Sequence, residues 1–154
     1  MPDQKPPRLA AGERDTLVGL LQFQRESFVR KTDGLDDDAA RWSPVVSGTS
    51  LLWLTNHLAD AERIWVLHRL TGRDPSGDPP PAAGLAGARD RYRATWAVTD
   101  AVLAGFALDD PCPAFDDGPP VTVRWILGHL LEETARHAGH ADVLRELLDE
   151  TTGR

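Results

Sequence analysis

Two histidines and a carboxylate stand four and three residues apart near the C-terminus: Glu133, His137 and His140, in HLLEETARHAGHADVLRELL. On a helix turning about 100° per residue, Ile126, Leu130, Ala141, Leu144 and Leu148 fall within about 40° of His137, which puts this imidazole in the middle of an apolar face. Glu133 and His140 lie within about 60° on the same side, and His129 at the edge of the stripe. His57 repeats the pattern upstream, where Ser50, Trp53, Ala61 and Ile64 surround it on its helical face and make it a second buried imidazole candidate.

Burying a carboxylate among imidazoles costs several kcal/mol unless the groups are paired or hold a cation. A divalent metal compensates directly, because neutral imidazole and carboxylate are suitable ligands and the i, i+4 spacing lets two helical side chains reach one ion. Three protein ligands leave a coordination position open, as a catalytic centre requires. His57, Glu133, His137 and His140 are therefore the metal-ligand candidates, with Glu133 and His140 also the candidates for a catalytic role. A hydrogen-bonded Glu and His network is the competing account, and His140 is either a ligand or the group that orients one. His68 and His129 alone read as hydrogen-bonded core residues.

Four amphipathic segments must position these groups. Leu17, Leu20, Leu21, Gln24 and Phe28 recur at helical spacing and predict a first helix over Gly12 to Thr32. Asp36 can cap a short turn through Trp42. A second helix runs from Ser50 to Leu70, capped by Thr49 or Ser50 and stopped by Gly72. Residues 72–84 hold too much Pro and Gly for regular structure and form a long connection, followed by a third helix from Leu85 to Phe106. The stretch 109–120 breaks periodicity again, and Thr122 caps a fourth helix over Val123 to Asp149. No alternating run proposes a sheet. The fold class is all-α, a four-helix bundle with long crossover connections, organised as a flexible segment 1–12, a bundle domain 13–150 and a tail 151–154.

Composition narrows the chemistry. The chain has 154 residues, 24 acidic against 17 basic side chains and a formal charge of −7, which argues against a grip on nucleic acid or an anionic membrane. One cysteine, Cys112, rules out an internal disulfide framework, and its place in a loop between two prolines argues against a nucleophile. The N-terminus lacks the apolar core of a secretory signal and no apolar run is long enough to span a bilayer, so a cytoplasmic location is expected. Asp60 and Glu62 read as solvated charges, and Trp42, Trp53, Trp65, Trp96 and Trp125 as core or bundle-end packing. No Walker loop, nucleophile elbow or dinucleotide fingerprint is present. Scarce Lys, Ile and Asn beside abundant Ala, Gly, Pro, Arg and Asp reflect a GC-rich genome.

SGTSLLWLTNHLADAERIW and, far downstream, VTVRWILGHLLEETARHAGHADVLRE resemble the DinB-like superfamily, specifically its actinobacterial mini-circle-protein branch of unknown function, over residues 13–150. The resemblance implies a four-helix bundle of DinB/YfiT type with one divalent metal, zinc or nickel, held by a histidine of the second helix and two residues of the last. His57 matches the first of these. Where many members carry H-x-x-x-H followed by G-Q, this chain has Glu133, His137, Gly139 and His140, so the third ligand stays open between Glu133 and His140. Relatives include S-transferases that use mycothiol or bacillithiol and a mycothiol-dependent isomerase. The implied activity is transfer of a low-molecular-weight thiol to a small-molecule electrophile, with homodimerisation as a family habit. A metal-dependent hydrolase using bound water and a non-catalytic stress or sensor module are the alternatives.

Overall fold

Side-chain caps set where several of the helices begin in the computed structural model, which describes residues 4–113 and 118–152. Helix α1 spans Glu13–Arg30 and the short α2 spans Asp37–Arg41, opened by Asp36, whose carboxylate accepts from Ala39 N at 2.8 Å. Ser50 accepts from Trp53 N at 3.2 Å and starts α3, Leu51–Glu62. That helix continues through a π-helical stretch, Arg63–Leu70, and ends where Gly72 takes φ +72°, with its N–H donating to His68 O at 2.9 Å. Helix α4, Leu85–Ala104, has no cap of its own, and Asp37 accepts from Leu85 N at 2.7 Å instead. Thr122 accepts from Trp125 N at 3.3 Å and opens α5, Val123–Asp149. The ends of the four long helices agree with the sequence expectation to within two residues.

Helix α1 packs on α5, α3 on α4, and α3 also meets α5, giving an all-α bundle. One apolar cluster gathers Leu21, Val66, Leu67, Leu103, Ile126 and Leu127. A second gathers Phe28, Leu54, Leu58, Tyr92, Ala138 and Leu144. Among the described residues, no helix is long and apolar enough to cross a membrane.

Several sequence expectations need correction. Glu62 is not solvated: its side chain is 1% exposed and accepts from Arg25 Nε and Nη2 at 2.8 and 2.6 Å and from Thr99 Oγ1 at 2.9 Å. A carboxylate can be buried this deeply because Arg25, itself fully buried, neutralises it. Asp60 does stay partly exposed, paired with Arg91. The 109–120 stretch contributes one strand of a two-residue antiparallel ladder, Pro111–Cys112 (β1), which pairs with Val121–Thr122 (β2) just beyond it and is too short to leave an alternating pattern. Cys112 is buried against the first cluster, and burial pushes its thiol pKa up, away from nucleophilic use. Trp42, Trp53 and Trp125 are 39–50% exposed, so they are not core residues, whereas Trp65 and Trp96 pack against the two clusters. The loop reading at 114–117, and the ends of the terminal segments at 1–3 and 153–154, lie outside the described residues.

Candidate metal centre

Helices α3 and α5 run antiparallel, since His57 meets Glu133 and His137 while Trp65, two turns on, meets His129 and Trp125. The Ser50 cap sets the register of α3 so that Trp53 and His57, one turn apart, share the face turned to α5. Asn56 fixes the same turn from the other side: its amide oxygen accepts from Ala82 N at 2.8 Å and its amide nitrogen donates to Ala82 O at 3.0 Å. The long 72–84 connection thereby braces the helix that carries His57.

Glu133 is the hinge of the cluster. Its Oε1 lies 2.8 Å from His57 Nε2 and 3.0 Å from His137 Nε2. The two imidazoles cross almost at right angles, 82°, with ring centroids 4.8 Å apart. One ligand atom from each of His57, Glu133 and His137 lies within 4.8 Å of the other two. His137 Nδ1 is turned away from this group and lies 3.1 Å from His140 Nδ1. His140 thus touches the cluster through His137 and stands exposed beside it.

The donor set suits a divalent ion. Tetrahedral ligands at about 2.0–2.1 Å from zinc sit about 3.3 Å from one another, so Glu133 Oε1 would part from each imidazole nitrogen by only a few tenths of an ångström, while the two imidazole nitrogens lie within 4.8 Å of each other. Burial lowers the His137 pKa against the opposing pull of Glu133, which keeps this imidazole in the neutral form a metal requires. Burial works to raise Glu133, but the His57 hydrogen bond and, in the acid range where a carboxyl titrates, the charge of protonated His137 outweigh it and leave the carboxyl below its usual value. His57 is less buried than its apolar neighbours imply, with 32% of its side chain exposed, against 16% for Glu133 and 11% for His137. The cluster is open to solvent on the His57 side.

The remaining histidines do other work. His68 is buried and bridges the Arg73 carbonyl at 2.9 Å and Asp78 at 2.7 Å, the hydrogen-bonded core role expected of it. His129 stacks on Trp125 and meets the edge of Trp65. Trp53, which the sequence places on the His57 face and which reads there as packing, covers the His57 ring face with its indole. Its position four residues before His57 on one helical face is the signal that pointed to it.

A family model described as Mycothiol-S-transferase matches residues 16–150. A crystal structure of a conserved protein from Enterococcus faecalis superposes with a TM-score of 0.68 at 20% identity, covering 92% of this chain and all of that one, a likeness of fold. No curated protein matches the chain.

Proposed function

The chain belongs to the Mycothiol-S-transferase family, and from that premise we propose that it joins a low-molecular-weight thiol, mycothiol, to a small-molecule electrophile at a divalent-metal centre made by His57, Glu133 and His137. The observation that carries this reading is the convergence of those three donor atoms within 4.8 Å on the solvent-open side of the bundle. When bound, a zinc or nickel ion supplies the positive charge that lets a thiol ionise at neutral pH.

The protein's own groups hold that charge in place. Glu133 and two neutral imidazoles leave the site at about +1, enough to favour a thiolate while limiting the cost of a partly buried ion. With a metal ion on Nε2, neutral His137 would carry its proton on Nδ1, 3.1 Å from His140 Nδ1, and donate it there, which would fix tautomer and ring orientation. Trp53 shields one face of His57 from water, and the exposed edge of the cluster is where the cosubstrate enters. The thiol proton leaves to solvent there. The sulfur lone pair forms the S–C bond as the leaving group departs with its bonding pair, so R–SH and R′–X give R–S–R′ and HX.

The direct test incubates zinc- or nickel-loaded protein with mycothiol and iodoacetamide and follows the conjugate by mass spectrometry. Conjugate formation well above the uncatalysed rate, lost in His57→Ala, is expected. A rate equal to that of buffer with either metal would remove the transferase reading.

A further inference from the structure

Beside His140 the surface opens into a cavity of about 320 Å³ between the loop after α2 and the last turns of α5. Pro44 and Val45 form one wall, and Val143, Leu144 and Leu147 the other, with His140 at the end nearest the cluster. Val45, Val143 and Leu147 are 45%, 56% and 59% exposed, three large apolar side chains left in water around one opening. Ser47 and Thr49 complete the lining among the described residues and hydrogen-bond each other through their hydroxyls at 2.9 Å. Among the described residues no Asp, Glu, Lys or Arg lines it, in a chain where these make up 27% of residues. The loop wall is preformed: Gly48 takes φ +74°, which an L side chain rarely adopts, and its N–H donates to Val45 O at 3.0 Å.

We infer that this cavity binds the electrophile, and that the electrophile is a neutral molecule whose apolar part has the bulk of one to two aromatic rings. The inference rests on the transferase reading for the word electrophile and on the cavity for the rest. Its volume is about twice the ~150 Å³ that accommodates benzene in an apolar protein cavity, and sits at the small end of small-molecule sites. A charged substrate would lose hydration against this lining without gaining a partner. Position supplies the link to chemistry, because His140 both lines the cavity and touches His137 at 3.1 Å. An occupant therefore sits one imidazole away from the metal-ligand cluster.

The test separates binding from turnover. N-phenyl-1-naphthylamine, a neutral apolar fluorophore, is titrated into wild-type protein, Val143→Glu and Leu147→Glu, with thermal melts to verify that both variants fold. Saturable binding at one site per chain, weakened at least tenfold in each variant, is expected. With mycothiol as thiol, the preference for 1-chloro-2,4-dinitrobenzene over iodoacetamide, as a ratio of kcat/KM, should fall at least tenfold in the same variants. Undiminished probe binding in both folded variants, or no saturable binding to wild type, overturns the inference. So does sedimentation showing a wild-type dimer that Leu147→Glu dissociates, which would assign these side chains to a second copy of the chain. If probe binding is lost in the variants while neither electrophile is conjugated by wild type, the cavity stands as an apolar ligand site and the transferase reading falls.

Discussion

The Trp53 indole lies parallel to the His57 imidazole, with ring centroids 4.7 Å apart and planes 8° from coplanar. Together with the Glu133 contact at 2.8 Å, the stack restricts the one metal-ligand candidate contributed by α3, whose side chain is 32% exposed. Trp53 is itself half exposed, so its loss removes orientation more than core packing. Trp53→Ala is expected to lower metal affinity about tenfold, in the range of losses seen when a group supporting a ligand is removed. Chelator competition with zinc-loaded protein measures this. A thermal midpoint within a few degrees of wild type, near about 1 kcal/mol, separates the effect from unfolding.

Arg25 and Glu62 join α1 to α3 in the dry interior, with Arg25 also reaching Asp100 at 2.9 and 3.1 Å. Removing Arg25 leaves Glu62 buried without a charged partner, with only the Thr99 hydroxyl donating to it, a loss of about 3–5 kcal/mol. Arg25→Ala should lower the thermal midpoint by roughly 6–20 °C for a domain of this size. Replacing both by apolar residues of similar volume should recover most of that loss, because the pair costs desolvation as well as gaining attraction. Calorimetry on the single and double variants checks both outcomes. A single variant as stable as wild type would contradict the burial described.

Asp78 ties the long connection to the π-helical end of the second helix, meeting Arg63 Nε at 2.9 Å and His68 Nε2 at 2.7 Å, with Arg73 as a third partner. Hydrogen bonding from Arg63, joined by His68 and Arg73, holds its carboxyl far below the usual range despite partial burial. The unfolded chain then takes up this proton before the native one does, so the stabilisation is present above about pH 4 and is lost as pH falls toward the depressed native value. Asp78→Asn is expected to destabilise by about 1–3 kcal/mol at pH 7, and the gap from wild type should stay constant above about pH 4 to 5 and narrow as pH falls from there toward about pH 3. Urea midpoints across that range report the convergence.

Local chemistry made the helix boundaries legible. Asp36, Ser50 and Thr122 each accept from the amide three residues on, and Gly72 ends the second helix through a positive φ, all properties of short segments. The 3.6-residue period likewise placed His57, Glu133 and His137 on facing stripes. What stayed hidden depends on partners distant in sequence. Glu62 looks solvated until Arg25, 37 positions away, is brought beside it. The π-helical widening from Arg63 to Leu70 carries no local composition signal. The exposure of His140 follows from the cavity at its side, walled by a loop some 90 positions earlier in the chain. An apolar stripe gives the direction of a side chain on its helix and leaves open whether anything covers it.

Glu133 and His140 compete for the third ligand position, and His137 touches both through different ring nitrogens. Its Nε2 faces Glu133 Oε1 at 3.0 Å, on the side where His57 Nε2 also converges at 2.8 Å. Its Nδ1 faces His140 Nδ1 at 3.1 Å, on the opposite edge of the ring. One imidazole coordinates an ion through one nitrogen and steadies itself with the other, so under the proposed metal centre the shared Nε2 side favours Glu133 as ligand, with His140 as the hydrogen-bond partner that would orient His137. Charge points the same way, because a carboxylate held below its usual pKa between two imidazoles is already the anion a divalent ion requires. Glu133→Ala is accordingly expected to purify with little metal and to bind none after reconstitution with zinc or nickel. His140→Ala should retain about one ion per chain with affinity about 10–100-fold weaker and a larger proportional loss in conjugation, since it also borders the electrophile cavity. Elemental analysis after gel filtration, followed by chelator competition, distinguishes the two. Metal kept by Glu133→Ala and stripped from His140→Ala would reverse the assignment and make Glu133 the group available to act as a base.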